Sequence, residues 1–172
     1  RLAAQQRLRG EGVMGDRPQG ARLARRGCEL GDALACTELA TALLFGRGVP
    51  QDQAQAAALL EQICALDEQD TEGAACLQAA ELASPSGAQP NAHAEALYSR
   101  ACDKGRFDGC SVIATLHYQE GRYQQAIVVA ADLISVQPRH WPSRNARGLS
   151  LFDLGRYAEA ADDLAVLAEL RP

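Results

Sequence analysis

Several kinds of side chain are scarce in this 172-residue chain, and each shortage closes a route to function. Aromatic residues make up 5%, while 47% of the chain is apolar and alanine dominates that fraction. Sheet sandwiches need branched and aromatic side chains, whereas helices pack closely on small ones, so this composition favours helices. No run approaches the roughly 20 apolar residues of a membrane-spanning helix. Lysine occurs once, as Lys104, against sixteen arginines. Ala101 stands three residues before it, so the serine–lysine pair of β-lactamase-type chemistry cannot form. GxSxG, HExxH, Walker-type and CxxC sequences are all missing. The chain is therefore expected to be no enzyme, with no catalytic residues, no cofactor and no metal.

Charge is uneven. The net charge is −5, yet residues 1–26 carry +5 and the remainder −10. The basic end would suit an acidic partner or a lipid surface, but arginines on the solvated faces of a helical hairpin explain it more simply. With a pI near 5.2 and no aromatics interleaved with a basic stripe, nucleic-acid binding is not expected. Membrane contact is expected only through an anchor outside this sequence. A chain opening on Arg1 reads as processed or as part of a longer one, and the repeat end at Pro172 leaves room for more chain.

What the sequence does contain is a repeat. Gly10, Gly12, Val13 and Asp16 recur 36 residues on as Gly46, Gly48, Val49 and Asp52. Ala21, Leu23, Cys28 and Leu30 recur at the same distance as Ala57, Leu59, Cys64 and Leu66. A third copy carries Leu97 and Cys102. Further along the period tightens to 34, where EGRYQQA (120–126) returns as LGRYAEA (154–160) and Pro138 as Pro172. A period of this size marks stacked supersecondary units, because one hairpin cannot bury its own apolar face.

Each unit reads as two helices, with apolar residues at i, i+3 and i+4 between Gly, Pro, Asp and Asn signals. Second helices are predicted near 18–30, 53–66, 91–104, 122–136 and 156–170. First helices are predicted near 2–9, 33–45, 73–84, 107–119 and 141–153, with residues 84–91 as a loop. Gly31 suits a left-handed helix end and Asp32 the following N-cap.

The GEGV…D and GRGV…D turns resemble Sel-one-like repeats, and residues 107–172 resemble two tetratricopeptide repeats through their Gly-Arg-Tyr turns, Ala126, Ala160, Pro138 and Pro172. The cysteine pairs make the chain most similar to the disulfide-stapled, cysteine-rich Sel-one-like proteins. The resemblance implies an all-α, right-handed superhelical α/α solenoid of helix-turn-helix repeats. It would hold Sel-one-like repeats over 1–106, the first one partial, and tetratricopeptide-like repeats over 107–172, as one continuous solenoid. Two departures stand out: Cys110 and Arg144 occupy a position usually held by a large aromatic, and Arg147 one usually apolar. Distorted or weakly packed repeats are expected there. Asp162 and Asp163 read as a solvated helix face.

The six cysteines fall as Cys28/Cys36, Cys64/Cys76 and Cys102/Cys110. In each pair the first lies in the last turn of a second helix and the other in the first turn of the next helix. Those helices run antiparallel across a short turn, at a separation a disulfide can span. Disulfides are the expected state, with buried thiols or a metal as the alternatives; zinc would need about four ligands converging on one point. Disulfides would place the chain in the periplasm or extracellular space. His93, His117 and His140 sit at unrelated repeat positions and read as surface or packing residues.

In tetratricopeptide-type solenoids the first helices line a concave face that receives a peptide or partner helix. Carried over by position, that face comprises Thr37, Glu38, Thr41, Gln78, Glu81, Ser111, Thr115, Tyr118, Asn145, Leu149 and Phe152, with Asn145 at the position that often clamps a peptide backbone. The expected function is a non-enzymatic protein–protein interaction or scaffold module binding a protein or peptide there. A structural spacer in an envelope assembly, or a regulatory repeat domain attached to an enzyme such as a kinase, are the alternatives.

Overall fold

The structure is a computed structural model that describes residues 16–66, 73–84 and 91–170. Among the described residues it holds nine helices and no strand. They are α1 (Arg17–Glu29), α2 (Ala33–Phe45), α3 (Gln53–Ala65), α4 (Ala74–Ala83), α5 (Ala92–Asp103), α6 (Phe107–Gln119), α7 (Tyr123–Val136), α8 (Trp141–Asp153) and α9 (Tyr157–Leu170). The all-α repeat fold and these boundaries match the sequence reading; the helix expected over 2–9 and most of the loop over 84–91 lie outside the described residues.

Local chemistry starts the helices. The Asp16 carboxylate accepts from the Gln19 amide at 2.9 Å, and Asp52, 36 residues on, accepts from Gln55 at the same distance. Asn91 does the same for Ala94. Asp32 accepts from the amides of Leu34 and Ala35. Each bond satisfies an N–H that the first helical turn leaves without a carbonyl, a contribution of about 1 kcal/mol. Gly31, at φ +83°, turns the chain between α1 and α2 in the left-handed region that glycine enters without cost.

The chain divides into two compact units, Arg1–Leu97 and Tyr98–Pro172, a division that cuts through α5. In the first, α1 packs on α2, α2 on α3 and α3 on α4, around Leu39, Leu43, Leu60, Ile63 and a majority of alanines. In the second, α6, α7, α8 and α9 pack in succession; α6 also packs directly on α8, and among the described residues no comparable packing joins α7 to α9. Ala114, Ala130 and Ala146 meet at the centre of the α6–α7–α8 contact, with Val129 against them. Small side chains there let three helix axes approach closely, which is why alanine outweighs larger apolar residues.

One turn is intolerant of any side chain. Gly48 has φ +79°, and a Cβ added to it would overlap the carbonyl of Arg17 at the start of α1. Gly48→Ala combines left-handed strain with a backbone collision, so its expected cost is about 2–3 kcal/mol. A lowered urea midpoint with an unchanged m-value would register it.

Candidate functional site

All six cysteines pair as the sequence suggests: Cys28–Cys36, Cys64–Cys76 and Cys102–Cys110, with none free. Each bond ties the last turn of one helix to the first turn of the next, α1 to α2, α3 to α4 and α5 to α6. With every sulfur spent in a disulfide, neither a thiolate nucleophile nor a thiolate metal ligand remains.

The Cα–Cα separations are 4.4, 4.7 and 4.5 Å, at the short end of what a disulfide spans. Helix backbones that close require small residues beside the sulfurs. At the first joint Gly27 faces Ala35, and a Cβ on the glycine would lie 2.6 Å from the alanine methyl. At the third joint the arrangement is reversed: Gly109 sits 2.9 Å, measured from an ideal Cβ, from the Tyr98 carbonyl and 3.0 Å from the Ala101 methyl. Each joint thus carries a small residue immediately before a cysteine, a signal present in the sequence and not used there.

The second unit contains a charge cluster that contradicts the expectation of a solvated Asp163. Asp162 is exposed, but Asp163 is 0% exposed. Its Oδ1 accepts from Arg144 Nη1 at 2.6 Å and Arg147 Nη2 at 2.8 Å, and its Oδ2 from Arg147 Nε at 2.6 Å. Arg144 Nε also donates to the Pro138 carbonyl in the α7–α8 turn. The hydrogen bonds to Asp163 raise the Arg147 guanidinium above its ordinary pKa, against the opposing effect of burial. Gly148 lets α8 approach, since a Cβ there would stand 3.2 Å from that of Asp163.

The cluster explains the two arginines that looked misplaced. Moving back one 34-residue period from Arg144, Arg147 and Asp163 gives Cys110, Ile113 and Val129. Uncharged residues at these positions in one hairpin correspond to an ion cluster in the next. Val136 and Arg144 occupy the places where that earlier joint has Cys102 and Cys110, so the joint lacking a disulfide is the one whose arginine holds both the preceding turn and the following helix.

The candidate partner-binding residues divide between the units. Thr37, Glu38 and Thr41 lie on α2 and Gln78 and Glu81 on α4; Ser111, Thr115 and Tyr118 lie on α6, and Asn145, Leu149 and Phe152 on α8. Glu81 and Phe152 are exposed, and the others are half-buried. In the second unit direct packing of α6 on α8 sets the two groups on neighbouring helices. Thr37, Thr41 and Thr115 each donate the hydroxyl to the carbonyl four residues back at 2.9 Å, and Ser111 donates to that of Asp108. Their oxygens remain as acceptors. Burial, and then the neighbouring charge of Asp153, push the Tyr118 phenol above its usual range, so it stays neutral and hydrogen-bonds that carboxylate across from α6 to α8.

A cleft of about 200 Å³ between α7 and α9 is floored by Arg147 and Leu151 of α8, with Ile127, Arg156 and Glu159 at its walls. Arg156 donates to both oxygens of Glu159 at 2.7 and 2.6 Å and holds that carboxyl below its usual range, so the pair enters the cleft ionised and mutually neutralised. His93 Nε2 meets Glu61 at 3.0 Å. His140 Nδ1 lies 2.7 Å from Ser143 Oγ, a nucleophile–base distance, but Ser143 is wholly buried and no substrate carbonyl can reach it.

The Sel1 repeat profile matches residues 1–32, 33–68 and 90–105. No curated protein matches the sequence significantly. Among solved structures, the chain is similar to c5321, a protective antigen of uropathogenic Escherichia coli displaying an SLR fold, at TM-score 0.67 and 22% identity, over 99% of this chain and 38% of that one. It is also similar to a Sel1 repeat protein from Oxalobacter formigenes, at TM-score 0.75 and 16% identity, over 98% of this chain and 71% of the other. At these identities the likeness is one of fold, and the chain spans well under half the length of the E. coli antigen.

Proposed function

We propose that this chain of Sel1 repeats is a non-enzymatic interaction module that holds a peptide or protein segment along the face of its first helices. Sel1 repeat proteins generally mediate protein–protein interaction, and the repeats are typically scaffolds rather than catalysts. The observation that carries the reading is the packing of α6 directly on α8 without a matching contact between α7 and α9. First helices drawn together and second helices splayed apart are the geometry of a hairpin stack that curves towards its first helices. On that side Asn145 can pair with a peptide backbone, Leu149 and Phe152 offer apolar contact, and the hydroxyl oxygens of Ser111 and Thr115 accept from backbone amides.

The three disulfides fit an oxidising environment outside the cytoplasm. The periplasm or extracellular space is the location we favour.

Peptides selected against the chain from a random display library test the face. Asn145→Ala with Thr115→Ala is expected to weaken their binding about tenfold, the loss of one or two hydrogen bonds, while the melting temperature stays within a few degrees. Unchanged affinity for every selected peptide would remove the first-helix face from consideration.

A further inference from the structure

We propose that the joint between α1 and α2 docks the protein on an anionic phospholipid surface, with Arg22, Arg25 and Arg26 on the lipid phosphates and Leu30 and Leu34 in the apolar layer beneath. Arg17, Arg22, Arg25 and Arg26 of α1 are all exposed, while the helix buries Gly20, Ala21 and Ala24. The spacing of Arg22, Arg25 and Arg26 sets them on one face, away from the buried alanines. Acids nearby reduce this charge without cancelling it. Residues 16–34 hold the four arginines against Asp16, Glu29 and Asp32, and residues 1–26 as a whole carry +5. Glu29 reaches Arg26 at 3.5 Å between exposed side chains. Among the described residues, neither Arg22 nor Arg25 is paired with a carboxylate.

Charge alone would suit any acidic surface, and the leucines decide between them. Leu30 and Leu34 are 73% and 55% exposed, and both lie inside the loop that Cys28–Cys36 closes. The disulfide holds the turn in place, so little has to be ordered when its leucines leave water. A guanidinium binds phosphate through two donors while its stem lies along apolar surface, and a leucine beside it gains by entering the acyl boundary. A surface that is only acidic satisfies the arginines and leaves the leucines wet. A phospholipid interface takes both.

The exposure of this face is a property of the repeat rather than of its place in the chain. One 36-residue period on from Arg22, Arg26 and Leu30 stand Ala58, Gln62 and Leu66, all exposed, although α3 has helices packed before and after it. The leucine recurs there and the cations do not, which confines the combination to the first joint. The contact needs neither a membrane-spanning helix nor an anchor, and it uses none of the residues proposed to hold a peptide.

Flotation of the 172-residue chain with phosphatidylcholine vesicles containing roughly 30% phosphatidylglycerol tests the contact. The chain carries −5 overall, so evenly spread charge would keep it off such vesicles. It is expected to float with them at roughly 20 mM salt, to be released at roughly 0.5 M, and to ignore phosphatidylcholine alone. Arg22→Gln with Arg25→Gln should weaken partition about twenty-fivefold, near fivefold per charge. Leu30→Asn with Leu34→Asn, which leaves the net charge unchanged, should weaken it about tenfold. Arg100→Gln with Arg139→Gln removes the same charge from exposed positions outside this joint and should leave partition within about twofold. No flotation with the anionic vesicles, equal flotation with phosphatidylcholine alone, or an equal loss in the Arg100 and Arg139 variant would each overturn the proposal. Capture by immobilised polyglutamate without vesicle binding would overturn it too, assigning the arginines to an acidic polypeptide.

Discussion

Asp163→Ala is expected to destabilise the second unit by about 3–5 kcal/mol, as removal of one member from a buried ion cluster does. The loss comes less from the missing attraction than from what is left behind. Arg144 and Arg147 have side chains only 13% and 25% exposed, and without the carboxylate Arg144 keeps only the Pro138 carbonyl and Arg147 only the weaker attraction of Glu159 and Asp162. At about 2–4 °C per kcal/mol for a chain of this size, the melting transition should fall by about 6–20 °C. Trp141, the single tryptophan, lies three residues from Arg144 on α8 and gives a fluorescence signal from this unit alone. Replacing the whole cluster, Arg144→Leu, Arg147→Met and Asp163→Leu together, is expected to return stability to within about 1 kcal/mol of the original or above it. A single Asp163→Ala variant as stable as the parent would mean that the cluster is solvated after all.

Reduction of the disulfides is the second large effect. Closing a loop of 8 or 12 residues is worth about 2–3 kcal/mol per bond in the chain-entropy account, and the first unit holds two of the three bonds. Adding excess thiol should lower the stability of that unit by about 5 kcal/mol, enough to unfold a marginal repeat array at physiological temperature. The variant Cys64→Ala with Cys76→Ala isolates one bond without leaving a polar atom in the wholly buried site that these cysteines occupy. Its urea midpoint, followed by circular dichroism, should fall by the equivalent of about 2–3 kcal/mol. An unmoved midpoint under both treatments would show that helix packing alone holds the hairpins.

Most of the fold was legible because its determinants are local. A left-handed glycine followed by an aspartate, as at Gly31-Asp32, ends one helix and starts the next within two residues, so the boundaries could be read directly. The cysteines were legible for a related reason, since helix ends joined by a short turn cannot be far apart. Asp163 was not, because its partners lie 16 and 19 residues away on another helix. An Asp-Asp pair on an amphipathic helix looks solvated until the arginines opposite are considered with it. The signal was a comparison between repeats: Cys110, Ile113 and Val129 against Arg144, Arg147 and Asp163, three exchanges to charged residues in one period. The threonines of the first-helix face were located by position, but the donation of their hydroxyls to their own helices depends on side-chain rotamers that a repeat pattern does not encode.

The disulfides have a genetic consequence. Each cystine spans a joint, so a repeat such as residues 33–68 contains half of one bond, Cys36, and half of the next, Cys64. Deleting that whole unit would remove both halves and bring Cys28 to face Cys76; duplicating it would add one cysteine to each side of a new joint. Unequal crossing-over in register therefore changes the number of repeats without stranding an odd thiol. A protein of this kind can be lengthened or shortened in an oxidising compartment while every sulfur keeps a mate.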